Sequence, residues 1–299
     1  MSGFSVDWLC LREPFDRAAR EASVGMLDLC AHMARWRDRS ASMPFTAIDL
    51  ACGHGANLRA LAPRLGGAQR WRLVDHDPLL LAAVPRALAE WARAHDCRIE
   101  GADAPGEEQT LHVTGSDFRA EVVLQRVDLA RDLATLDFGA ASLVTASALL
   151  DLVSAAWLEA LIRKAQVARS AMLFGLNVDG RLTWDPADPL DDRVHGLFSR
   201  HQHRDKGFGP ALGPRAVPSA LQHMASGGYE TLQVPTDWVI DGAQAPAMQL
   251  AMIEGVAAAA LEQDATARDA VRGWKTRRSA AVGASRLRVG HVDIGAIPA

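Results

Sequence analysis

Residues 45–57 read Phe-Thr-Ala-Ile-Asp-Leu-Ala-Cys-Gly-His-Gly-Ala-Asn, and their reading decides the fold. Residues 46–50 are a short apolar run with one carboxylate, Asp49, set into it. The run is too short for a stable helix and closes on turn residues, so it predicts a buried strand. Gly53 and Gly55 follow at once. Glycine reaches positive φ and has no Cβ to block a ligand. Residues 57–65 then read as a helix. Strand, glycine turn and helix open a nucleotide-binding α/β unit, with the ligand at the carboxyl end of the strand.

A second strand is predicted over 71–75, ending in Asp75, 20 residues past Gly55. An acid at that distance, at the tip of the next strand, is where a ribose diol is hydrogen-bonded. The loop is not the dinucleotide fingerprint, because Leu58 stands where the third glycine of G-x-G-x-x-G falls. A dinucleotide oxidoreductase is therefore disfavoured. Asp-Leu-Ala-Cys-Gly-His-Gly (49–55) resembles motif I of the class I S-adenosylmethionine-dependent methyltransferases, commonly Asp-x-Gly-Cys-Gly-x-Gly. Val-Asp-His-Asp-Pro-Leu-Leu (74–80) resembles their second motif. Ala51 departs from the usual glycine, which bears on how closely a ligand approaches. The resemblance spans about 16–178 and is topological beyond.

The resemblance implies a doubly wound α/β fold: a mostly parallel seven-stranded sheet, helices on both faces and an N-terminal helical cap. It implies S-adenosyl-L-methionine as cofactor, with Asp49, Ala51, Gly53, Gly55, Asn57, Asp75 and His76 around it. It also implies that Asp128 meets the adenine amino group while Leu129 offers a backbone N–H to the ring. The residues themselves allow Asp128 to be a helix cap for 129–136, and both readings stand. Ser147, at the end of a strand over 141–147, joins the cofactor set. Asp151, just beyond, is a substrate candidate by the same resemblance, or a structural cap or loop anchor.

The chain has 299 residues, 49% of them hydrophobic, and a net charge of −4. That supports a large core and gives no global attraction to nucleic acid. Cys10, Cys30, Cys52 and Cys97 form no C-x-x-C pair, so reduced thiols and a cytoplasmic location are expected. Cys52 reads as a small buried filler. Asp7, Arg12, Glu13 and Asp16 do not fit a signal peptide. No apolar run is long enough for a membrane span. The whole chain reads as one domain: cap 1–44, cofactor half 45–178, substrate half 179–299. A monomer or homodimer is expected.

An amphipathic helix is expected over 16–38, with Asp16 as N-cap and Ala19, Ala22, Met26, Leu29, Cys30 and Met33 on one face. It covers the cofactor or packs on the sheet. Asp77 and Pro78 open another helix, with a kink or break at Pro85. Residues 97–115 hold turn residues and a run, 111–113, able to pair as a strand. Further strands are expected over 119–127, 170–178, 229–234 and 286–294, and the resemblance implies that the last runs antiparallel beside the fifth. Helices are expected over 155–168, 214–226, 245–263 and 264–281; the basic run at 272–278 reads as a solvated face.

Residues 179–213 form a polar excursion after the fifth strand, where the active edge of such a sheet lies. We read it as a substrate lid, with a helix inside it over 191–204. Arg181, Trp184, His195, His203 and Phe208 are its substrate-binding candidates. Transfer to a hydroxyl or amine needs a base, and His201 and Lys206 are the candidates. His201, His203 and Asp205 do not share a helix face or a metal motif, so no metal is expected. The function expected is methyl transfer from S-adenosylmethionine to a small-molecule acceptor; a non-catalytic regulatory or scaffolding binder is the alternative.

Overall fold

The structure is a computed structural model that describes residues 5–22, 28, 31–35, 38, 44–101, 110–139 and 141–299. Met26, Leu29 and Cys30 of the expected helix face lie outside the described residues.

In chain order, α1 (Val6–Ala22) precedes β1 (Phe45–Leu50), α2 (Ala56–Leu65), β2 (Gly67–Asp75) and α3 (Pro78–Ala94). Next come β3 (Arg98–Glu100), β4 (Thr110–Thr114), β5 (Phe118–Arg126), the short α4 (Leu129–Asp132), β6 (Leu143–Ser147) and α5 (Ala155–Val167). The remainder is β7 (Ala171–Asp185), α6 (Asp191–Gln202), α7 (Ala216–Ser226), β8 (Tyr229–Pro235), β9 (Trp238–Asp241), α8 (Pro246–Gln263), α9 (Arg268–Ala280) and β10 (Arg286–Pro298).

All strands join one sheet in the order β3-β4-β5-β2-β1-β6-β7-β10-β8, with β9 also on β10. The centre, β5-β2-β1-β6-β7, is parallel. β10 runs antiparallel between β7 and β8, as expected of the last strand. The sheet differs from the expected one in having ten strands and a mixed character. The extra strands have local causes. Leu111 and Val113 are buried while His112 is exposed, and this alternation lets β4 pair antiparallel with β5. β3 and β9 add short pairs at its margins.

Burial on both faces follows from the period of two. Ala47, Leu73, Leu143 and Leu173 face α2 and α3 with Leu58, Leu61, Val84 and Leu88. Their chain neighbours Ile48, Val74, Val144 and Phe174 face α5 and α7 with Leu158, Leu161, Val217 and Met224. A third core sits around α6, α8 and α9, built on Trp184, Leu197, Trp238, Val256 and Trp274.

Local signals fix several ends. Asp77 accepts from Leu79 N at 2.8 Å, with Pro78 at the first helical position. Ser154 accepts from Trp157 N at 3.3 Å and opens α5. Pro85 does not end α3, which continues to Ala94. Two expectations are corrected. The first described helix starts at Val6, so Asp16 lies in its interior and is no N-cap. Residues 179–185 are not part of an excursion but extend β7, pairing Leu182 with Val289 and Asp185 with Arg286.

Candidate functional site

The order of the sheet reverses at β1, which sends one neighbour, β2, to one side and β6 to the other. Such a switch point leaves a crevice at the carboxyl ends of the strands. A small cleft lies there, lined by Leu9, Arg12 and Asp16 of α1, Asp49, Ala51, Cys52, Gly53, His54, Ala56 and Asn57, and Ser147 of β6. The turn that builds it is left-handed: Ala51, Gly53 and Gly55 have φ of 52°, 56° and 83°. Gly55 N closes the turn on Cys52 O at 2.9 Å. A Cβ at Gly53 would stand 2.9 Å from Leu9 Cδ1, so the Leu9 side chain would have to give way, and the positive φ would strain any L side chain there. Ala51 holds a conformation that glycine adopts more cheaply.

Asp49 is fully buried at the end of β1. Its Oδ1 accepts from Asn57 Nδ2 at 3.0 Å, and its Oδ2 has no hydrogen-bond partner among the described residues. Desolvation pushes its carboxyl up to about 7, against the Asn57 hydrogen bond and the Arg20 charge, while Asp75 adds to the rise. Asn57 Nδ2 also donates to Thr145 Oγ1 at 3.0 Å, which donates to Leu173 O at 2.6 Å. Asp75, at the tip of β2, is buried; its Oδ2 accepts from Gly53 N at 2.9 Å and its Oδ1 from Asp77 N at 3.0 Å. The two motifs are thus tied through one carboxylate. His76 is exposed and stands 3.3 Å from Asp75 Oδ1.

α1 forms the roof. Glu13 grips Arg59 of α2 with both oxygens at 2.6 Å, and Arg59 also donates to His54 O at 2.7 Å. On the other side Asp16 accepts from Arg12 Nε and from Trp238 Nε1, each at 3.0 Å. The Arg12 guanidinium lies 5.1 Å from the Trp238 ring centre. Arg20, buried, donates to Asn57 Oδ1 at 3.2 Å and Ser147 Oγ at 3.0 Å, with Asp293 at 3.8 Å. The sequence reading missed these roof residues because it began the helix at Asp16. Trp8, Leu11, Phe15 and Ala19 at helical spacing were the available signal.

The remaining candidates lie elsewhere. Asp128 caps α4, accepting from Ala130 N at 3.0 Å, and Leu129 is buried with its carbonyl bonded by Trp157 Nε1 at 2.7 Å. Asp151 follows β6, does not line the cleft, and its Oδ1 is buried with no partner among the described residues. None of residues 179–213 lines the cleft. His201 meets Glu262 of α8 at 2.9 Å, with Lys206 Nζ 3.4 Å from its other nitrogen. Trp184 is buried, donates to His195 Nε2 at 3.1 Å and packs edge-on to Trp274 at 6.1 Å; a ring so enclosed has no face left to stack on an acceptor. Arg181 bonds Asp179 and Asp237 on the outer β7–β10 arm. His203 faces Ala211 O at 3.2 Å. Phe208 sits edge-on to Trp157 at 5.2 Å. The cause is the third core: Val194 and Leu197 bury α6 against α8, drawing the segment away from the cleft. Among the described residues no group of three His, Cys, Asp or Glu side chains is placed to hold a metal ion. No described helix is long and apolar enough to cross a membrane.

No protein-family model matches the chain, and no curated protein matches it. Solved structures do. A cyclopropane-fatty-acyl-phospholipid synthase-like protein from Lactobacillus casei is similar over 99% of this chain and 95% of its own, with a TM-score of 0.50 and 14% identity. An S-adenosylmethionine-dependent methyltransferase from Geobacter sulfurreducens, in complex with S-adenosyl-L-homocysteine, is similar over 91% of each chain, with a TM-score of 0.43 and 15% identity. The first of these likenesses, over nearly the whole chain, is a likeness of fold.

Proposed function

We propose, from the class I methyltransferase fold that the chain has, that it uses S-adenosyl-L-methionine to methylate a small-molecule acceptor. The observation that carries this reading is the buried Asp49 Oδ2, which meets no donor among the described residues, in the cleft beside a left-handed glycine turn. An orphaned carboxylate oxygen is costly unless a donor arrives. The cofactor's ammonium supplies one. The resemblance would put the cofactor's amino-acid end at Gly53 and Gly55 with Asp49, its ribose at Asp75, its adenine beside Asp128 and Leu129, and its methyl end at Ser147; of these, Asp49, Gly53 and Ser147 line the cleft. Asp75 can take this role while keeping its two backbone bonds, since each carboxylate oxygen has a second lone pair.

When bound, the cofactor supplies an electrophilic methyl carbon. The work left to this chain is to orient the acceptor, exclude water and manage a proton. The roof of Leu9, Arg12 and Asp16 supports water exclusion over the cleft. Calorimetry with S-adenosylhomocysteine tests the reading. Binding is expected in the wild type, and Asp75→Ala is expected to lose about 1–3 kcal/mol. No binding by the wild type refutes the proposal. Binding without turnover on any acceptor would favour the regulatory binder.

A further inference from the structure

α1 crosses the cleft with two working sides. On one, Leu9 stands against Gly53 of the turn and Glu13 grips Arg59. Arg12 precedes Glu13 by one residue and so lies about 100° round the helix from it. That other side faces β9, where Asp16 bonds Trp238 Nε1 and the Arg12 guanidinium lies over the same ring. The Arg12 charge also reaches β10 and the turn after β6. Burial first and then Arg12 hold the His291 imidazole down at about 4, and Arg12 opposes the burial that pushes Asp151 up to about 6. His54 of the glycine turn feels Arg12 only after Arg59 and Glu13. Arg12 thus belongs to the flank of the cleft toward β6 and β10.

A guanidinium carries five N–H groups. Arg12 spends Nε and one N–H of Nη2 on the two oxygens of Asp16, at 3.0 and 3.3 Å. Nη1 and the second N–H of Nη2 form the opposite edge, which has no partner among the described residues. The residue is only 8% exposed, and it lines the cleft. None of its nitrogens is both sealed from solvent and unpartnered, so the free edge is open through the cleft. We infer that this edge receives a carboxylate of the acceptor, so that the small molecule methylated is an anionic one. The inference rests on the methyl-transfer reading above. Two parallel N–H groups match a carboxylate's two oxygens. Asp16 and the Trp238 ring already hold the fork in place, so little freedom is lost on binding. Among the described residues the lining holds no second cation, since burial and Arg59 keep the His54 imidazole low. One positive edge suits a singly charged carboxylate rather than a phosphate dianion.

The test measures turnover on a panel of hydroxyl- and amine-bearing carboxylic acids, each paired with its uncharged primary amide, with S-adenosylhomocysteine calorimetry alongside. Wild type is expected to prefer an acid over its amide by about 10- to 100-fold in kcat/KM, the scale of a hydrogen bond to a charged group. Arg12→Lys keeps a charge for Asp16 but has no second edge. It is expected to cut that preference about tenfold, through KM rather than kcat, with S-adenosylhomocysteine affinity within about threefold of wild type. A merely structural Arg12 would slow acid and amide alike and leave their ratio unchanged, which overturns the inference. The double variant Arg12→Met with Asp16→Asn strands no charge and keeps an oxygen for Trp238, and it is expected to lose the preference altogether. Wild type that treats acids and amides alike, or that binds S-adenosylhomocysteine and methylates no panel member, also overturns the inference. So does an Arg12→Lys protein that loses S-adenosylhomocysteine affinity tenfold and keeps its preference for acids, because Arg12 would then hold the cofactor's own carboxylate. Wild type that binds no S-adenosylhomocysteine removes the underlying reading instead, and the inference with it.

Discussion

Asp49 concentrates the chemistry of the cleft in one side chain. It ends a strand whose other residues are apolar or small, so it is buried by its neighbours' hydrophobicity. Asn57 meets one oxygen, and the other has no partner among the described residues. Its carboxyl is raised to about 7, chiefly by desolvation, from a model-peptide value near 4. A raised acid stabilises the fold below its unfolded pKa and loses that contribution as pH climbs through the folded one. Wild type is therefore expected to lose about 2–3 kcal/mol between pH 5 and 8 relative to Asp49→Asn, which keeps the Asn57 contact and cannot ionise. Urea unfolding at the two pH values measures this. A constant difference between the two proteins would mean that Asp49 is ionised throughout, its desolvation relieved by Arg20 and Asn57.

At the scale of elements, what could be read from the sequence was local. The strand, turn and helix at 45–65, the caps at Asp77 and Ser154, and the last strand were legible because each rests on neighbouring residues or a period of two, while the last strand's antiparallel direction came from the family resemblance. The roof was not. Asp16 was read as a cap because a carboxylate before an apolar periodic run resembles one, whereas its partner, Trp238, is 222 residues away. Nothing local announces such a bond. The β3–β4 margin stayed unplaced for a similar reason, since short strands depend on the partner they find. The roof itself is held to the loop by Glu13, whose carboxylate takes three Arg59 hydrogen bonds and faces His54 at 3.6 Å. Bidentate pairs of this kind are stronger than single ones. Glu13→Gln is expected to speed hydrogen exchange at the described amides of α1 by about tenfold, with β1 and β6 unchanged. Uniform acceleration across the sheet would show that α1 opens only with the whole fold.

At the scale of the molecule, the cores divide the labour. Two flank the sheet and set the strand ends that make the cleft. The third gathers α6, α8 and α9, and it decides what residues 179–213 do. Histidines and a lysine after the fifth strand resembled a lid on position and composition, yet Trp184, Val194 and Leu197 are buried in the third core and no residue of 179–213 lines the cleft. At the centre of its attachment Asp191 accepts from Trp274 Nε1 at 2.8 Å and pairs with Arg278, which also donates to Pro186 O at 2.8 Å and lies over Trp184. Both partners are largely buried, with side-chain exposures of 13% and 3%. Removing one charge strands the other, which costs more than the pair ever contributed. Asp191→Ala is therefore expected to lose about 3–5 kcal/mol in urea unfolding. Since this attachment does not line the cleft, the folded variant is expected to bind S-adenosylhomocysteine within about threefold of wild type. The two measurements pull apart the two views of the segment. A large stability loss with intact binding marks it as a structural buttress, and a tenfold loss of affinity in protein that is still folded would return it to the site as a lid acting through α1, whose Trp8, Leu11 and Phe15 pack on the same core.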